Sequence, residues 1–79
     1  MISKYVAAAL ARAVYERVEG DSYCATVPEL RGVIALGDSV ERCRESLAEV
    51  VEEWVLVRVS RQLSVPKLGG VTIRVRRAG

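Results

Sequence analysis

The chain has 79 residues, of which 51% are apolar, a net charge of +2 and no histidine. That length fits one domain with a thin core, because a chain this short buries only roughly 60–65% of its unfolded surface. No apolar run approaches the roughly 18–20 residues of a membrane span, and no charged, apolar and cleavable leader stands at the start, so a soluble cytoplasmic protein is expected.

The charge is uneven. Residues 1–57 carry six Lys/Arg and ten Asp/Glu, whereas residues 58–79 carry six Lys/Arg and no acid. This reads as a dipolar domain whose basic end lies near its own acidic helix. The other reading is a surface for nucleic acid or an acidic partner. Ten arginines stand against two lysines, and asparagine is absent. That composition points to a high-temperature source. Cys24 and Cys43 share no metal-binding spacing and have no histidine to join them, so they read as two small buried thiols in a reducing compartment.

Residues 3–13 are alanine-rich, with apolar positions at Val6, Leu10 and Ala13. With Ile2 they form a short helix that needs a packing partner. Residues 14–18 alternate as a strand, and Glu19 to Ser22 read as a turn. Residues 23–27 alternate again, until Pro28 interrupts the ladder. After Leu30-Arg31-Gly32, the continuously apolar residues 33–36 fit a strand buried on both faces. Three strands with short connections imply an antiparallel meander.

Gly37-Asp38-Ser39 stops the third strand. Asp38 with Glu41 could form a capping box, and Ser39 is an alternative N-cap. A helix then runs to about Arg61. Val40, Cys43, Leu47, Val50, Val51, Trp54 and Val57 share one face at helical spacing, which covers the sheet. Ala48, Val55, Leu56, Val59 and Leu63 fall well away from it. Either the first helix or a second chain covers this stripe, and the shortness of the first helix favours a second chain. Residues 64–70 read as a linker. Val71, Ile73 and Val75 alternate with Thr72, Arg74 and Arg76 as a short final edge strand guarded by its arginines. The fold class is α+β: an N-terminal helix, a three-stranded antiparallel meander, a long helix packed on the sheet and a final strand.

Without histidine there is no His-based triad or general base of the usual kind. Cys43 lies on the core face of a helix, which suits an inert thiol. Gly69-Gly70 is too little to cradle a phosphate. The acids Glu45, Glu49, Glu52 and Glu53 lie on the outer side of the long helix. With Asp38 or Glu41 they could hold a divalent metal, but acids on a helix face are far more often solvated charges. No catalytic, cofactor or metal residue is assigned, and the chain reads as a non-enzyme. The aromatic residues Tyr5, Tyr15, Tyr23 and Trp54 are few for an RNA-binding sheet, although Tyr15 and Arg17 share one face of the first strand.

The stretch from Tyr15 to Trp54 resembles the HicB family of antitoxin-like proteins. The matching residues are Tyr23-x-Ala25-x-Val27-Pro28-x-Leu30-x-Gly32, then Ala35-x-Gly37-Asp38-Ser39-Val40-Glu41, then Cys43, Leu47 and Trp54. The resemblance implies a cut-down RNase H-like fold without the catalytic acids of true RNase H enzymes. It also implies a protein partner, a HicA-like toxin that cleaves mRNA. The full-length antitoxins carry a separate DNA-binding domain. This chain ends at Gly79 without one, so toxin neutralisation is expected and operon repression is not. Arg31 stands where many members have proline.

The leading reading is therefore a stand-alone, non-enzymatic interaction module. Glu45, Glu49, Glu52 and Glu53 would face a basic toxin, and Val55, Leu56, Val59 and Leu63 would form a homo-oligomer contact. The alternatives are an orphan self-assembling domain, or a nucleic-acid binder using Arg74, Arg76 and Arg77.

Overall fold

Residues 2–73 are described in the computed structural model of the chain. Helix α1 (Ile2–Ala11) is followed by strands β1 (Val14–Val18), β2 (Ser22–Thr26) and β3 (Ile34–Gly37), and then by helix α2 (Val40–Ser60). The strands pair antiparallel in the order β1-β2-β3, with Tyr15 opposite Ala25 and Ala25 opposite Ala35. The α+β fold class read from the periodicities is the fold observed.

Alternation puts Tyr15, Tyr23, Ala25 and Ala35 on the face covered by α2. Cys43, Leu47, Val51 and Val55 recur every four residues along α2 and are fully buried. With alanines opposite, the helix lies close to the sheet and the core is shallow. Truncating Leu47 to alanine in such a core costs about 2–5 kcal/mol.

The segment between β2 and β3 contributes to this core. Pro28 has no amide hydrogen and ends the β2 ladder. The chain then turns twice, with Leu30 N donating to Val27 O at 2.9 Å and Val33 N donating to Leu30 O at 3.3 Å. Val27, Leu30 and Val33 thereby point inward and are almost completely buried.

Gly37 decides how α2 meets the sheet. A Cβ built there would lie 2.6 Å from the Cys43 backbone nitrogen and 2.9 Å from its Cα. Only glycine lets the end of β3 touch the first turn of α2 this closely. Ser39 caps that turn, its hydroxyl accepting from Arg42 N at 3.1 Å. Of the two N-caps considered, the serine is the one used, and Asp38 reaches Arg42 only at 4.0 Å.

Three expectations are corrected. Ile34 and Leu36 are 54% and 62% exposed, so β3 is buried on one face only. Its apolar run covers both faces because the outer side of the sheet is itself apolar. Cys24 is half-buried on that outer side, so Cys43 alone is a buried thiol. Residues 64–70 are more than a linker. Leu68 is fully buried, and it exchanges backbone hydrogen bonds with Val71 across Gly69-Gly70. Both glycines have positive φ, as a two-residue hairpin turn requires. The Tyr5 hydroxyl donates to Pro66 O and Arg58 Nε donates to Ser64 O at 2.7 Å, which fixes this segment against both helices. The expected final strand lies mostly outside the described residues. Within them, Val71 forms only the bridge to Leu68.

Gly37→Ala forces the first turn of α2 off the sheet, at a cost of about 1–3 kcal/mol. For a domain of this size that lowers Tm by roughly 5–20 °C. A thermal melt within about 2 °C of wild type would show that the close approach is not a constraint.

Candidate interaction site

Two outward surfaces stand on opposite sides of the two layers. The first is the outer ridge of α2. Glu45, Glu49, Glu52 and Glu53 are all exposed there, and none belongs to an ion pair among the described residues. Glu45, Glu49 and Glu53 follow one another at four-residue spacing, and Glu52 stands three residues from Glu49. Like charges at these spacings repel by about 0.2–0.5 kcal/mol per pair. No lysine or arginine stands three or four residues from Glu49, Glu52 or Glu53 to offset this.

Beside the ridge, a shallow groove runs along Val50, Trp54, Val57 and Leu63, with Glu53 and Arg61 at its edges. Arg58 stacks on the Trp54 ring, 4.9 Å from its centroid. Trp54 is half-buried, so the aromatic both packs on the core and lines this groove.

The second surface is the outer side of the sheet. Val14, Val18, Ile34 and Leu36 are 45%, 39%, 54% and 62% exposed. Between them, on β2, lie Ser22, Cys24 and Thr26. Sequence reading missed this surface, although the alternation of Val14 and Val18 with Tyr15 and Arg17 carried a signal for it.

The expected oligomer stripe is not continuous. Val55 is fully buried in the core that holds Tyr5 and Ala9 of α1, so the first helix covers that part. Val59 is half-buried, while Leu56 and Leu63 are exposed, and of these two only Leu63 lines the groove. Tyr15 and Arg17 do share a face, but it is the one under α2, where the Tyr15 hydroxyl is buried. An open aromatic platform is therefore not formed there. Arg74, Arg76 and Arg77 lie outside the described residues. Among the described residues, no cluster of three or more His, Cys, Asp or Glu side chains could hold a metal. No described helix is long and apolar enough to cross a membrane.

Residues 4–66 match the UPF0150-like family. The chain belongs to that family. It also matches the crystal structure of TTHA0281 from Thermus thermophilus, at 35% identity and a TM-score of 0.87, over 96% of this chain and 95% of that one. No curated protein compared with it matches. The UPF0150-like match spans α1, the whole sheet and α2, so both surfaces are built on the part that defines the family.

Burial separates the two thiols, Cys43 being buried and Cys24 half-buried. Burial pushes the Cys43 thiol up, with a smaller contribution from Cys24, and its Sγ lies 3.5 Å from Ala35 O. Burial likewise raises the Tyr5 hydroxyl above its ordinary value, with Arg58 opposing. Folding thus favours the protonated form of both groups. Their contribution is complete below the ordinary thiol range and is lost as pH rises through the raised values. At about pH 8, a thiol-reactive chromophore should label Cys24 at least about 100-fold faster than Cys43, which reacts only on opening of the core. Equal labelling rates would contradict the burial of Cys43.

Proposed function

We propose that the protein is a non-enzymatic interaction module that binds a small basic protein along the outer ridge of α2. Its partner would be a HicA-like, mRNA-cleaving toxin, and binding would neutralise it. The carrying observation is the set of mutually repelling carboxylates Glu45, Glu49, Glu52 and Glu53, which form no ion pair among the described residues. They cost the isolated helix stability, and a cationic partner surface would remove that cost. The HicB-like residues from Tyr23 to Trp54 support the same reading. The arginine-rich composition and the source of TTHA0281 support a high-temperature origin.

Glu49→Lys separates a binding ridge from a merely solvated one. In the isolated protein it replaces three repulsive neighbours with attractive ones and stabilises by about 1 kcal/mol, raising Tm by roughly 4–8 °C. Tagged wild-type protein in native lysate should retain a small basic RNA-cleaving protein in near-equal amount, and stoichiometric addition should stop the cleavage. The stabilised variant should hold that partner about tenfold more weakly, a difference of about 1.4 kcal/mol. Equal retention by the variant, or cleavage that continues with wild type in excess, would refute the proposal.

A further inference from the structure

We infer that the cavity bounded by the β2–β3 connection, the second half of α2 and Pro66 binds a small phosphate monoester carrying a flat ring, of the size of a nucleoside monophosphate. The cavity has a volume of about 340 Å³. Pro28, Glu29 and Arg31 line it from the connection, Trp54 and Arg58 from α2, and Pro66 from the segment that follows.

Its walls are held in place by bonds between these elements. Arg12 Nε, at the end of α1, donates to Glu29 Oε2 at 2.6 Å. The Arg12 guanidinium also lies against the Gly69 turn, where a Cβ would come within 3.1 Å of Nη1. The Tyr5 hydroxyl donates to Pro66 O, and Arg58 Nε donates to Ser64 O at 2.7 Å. These ties join both helices, the connection and the segment after α2, so the cavity is formed before any ligand arrives.

The lining selects the ligand. Pro28 and Pro66 have no amide hydrogen, so they offer ring surface and no backbone donor. The Arg58 guanidinium lies over the Trp54 ring, 4.9 Å from its centroid, and such a stack presents flat surface to a flat ring. The one carboxylate of the lining, Glu29, is matched by Arg12, and that bond holds its carboxyl below the usual range. Arg31 and Arg58 have no carboxylate partner among the described residues. Two such guanidiniums at one cavity suit a dianion. A phosphate monoester carries about −1.5 to −2 at neutral pH and matches both, whereas a single carboxylate leaves one unmatched. The volume is near the small end of ligand sites, which run from about 300 to about 1,000 Å³. It has room for one ring and one phosphate, not for a length of strand.

Trp54 is the only tryptophan in the chain, so its emission reads the cavity directly. Adenosine monophosphate titrated into the full chain should change that emission saturably, with a Kd of roughly 10 µM to 1 mM. Adenosine, which lacks the phosphate, and inorganic phosphate, which lacks the ring, should each bind at least about tenfold more weakly. Arg31 is exposed and joins no ion pair among the described residues. Arg31→Ala should therefore leave the melt unmoved and weaken binding of adenosine monophosphate at least about tenfold. Arg61→Ala removes the same charge from the neighbouring groove, and should change binding less than about twofold. A wild-type chain with no saturable response up to about 5 mM ligand overturns the inference. So does a folded Arg31 variant that binds like wild type, or adenosine that binds as tightly as its monophosphate. A tetranucleotide bearing one terminal phosphate should bind no more tightly than adenosine monophosphate. Binding about tenfold tighter would assign the surface to a strand and overturn the small-ligand site. None of the four acids of the α2 ridge lines this cavity, so the two proposals can fail separately.

Discussion

The contact between the end of β3 and the first turn of α2 governs the architecture. With no side chain at Gly37, the backbone of Cys43 can lie against the strand. Two residues of connection, Asp38 and Ser39, are then enough to reverse the chain from sheet to helix. The serine hydroxyl satisfies one amide of the new helix as the chain turns. From that start, α2 is directed across β3 and β2, and the four-residue spacing of Cys43, Leu47, Val51 and Val55 keeps one side chain per turn in the core.

A helix held this close to alanines leaves little volume for a core, so the remaining elements add to it at the edges. Leu30 fills it from the β2–β3 connection and Leu68 from the segment after α2. Tyr5 does so from α1, and its hydroxyl reaches the Pro66 carbonyl. Arg12 joins the end of α1 to that β2–β3 connection through Glu29 at 2.6 Å, and the bond holds the Glu29 carboxyl below its usual range. This pair is exposed, so it orients the connection more than it stabilises it. One layer of sheet and one of helix cannot cover both of their own outer sides. Among the described residues nothing covers either outer side, so the apolar residues of the sheet and the acids of α2 stay exposed.

The helices, the meander and the N-cap region were legible because their signals are local. Two-residue alternation, a proline at the end of β2 and Gly-Asp-Ser before an apolar period each act within a few positions. The outer sheet face was not legible, because Ile34 and Leu36 look the same whether a layer covers them or not. A continuous apolar run of four residues fits a strand buried on both faces and a strand beside an unpartnered surface equally well. Val55 was misplaced for a related reason. Angular position on a helix separates faces, but only the path of α1 tells which second face is covered. The Leu68 hairpin did have a signal in Gly69-Gly70 between two apolar residues, a pattern that favours a tight turn over an open linker.

The two outward surfaces differ in what would satisfy them. The sheet face has nothing wrong with it locally: β-branched and aliphatic residues suit strands, and their only cost is exposure to water. Burial against any uncharged surface of matching shape removes that cost. The α2 ridge is different, because its residues conflict with one another at helical spacing, and no cation in the sequence near Glu49, Glu52 or Glu53 relieves them. Local conflicts of this kind are where function most often departs from stability. Removing the conflict takes positive charge delivered in a row along the helix axis. The two surfaces therefore differ in kind, one exposing apolar area to water and the other setting like charges against one another.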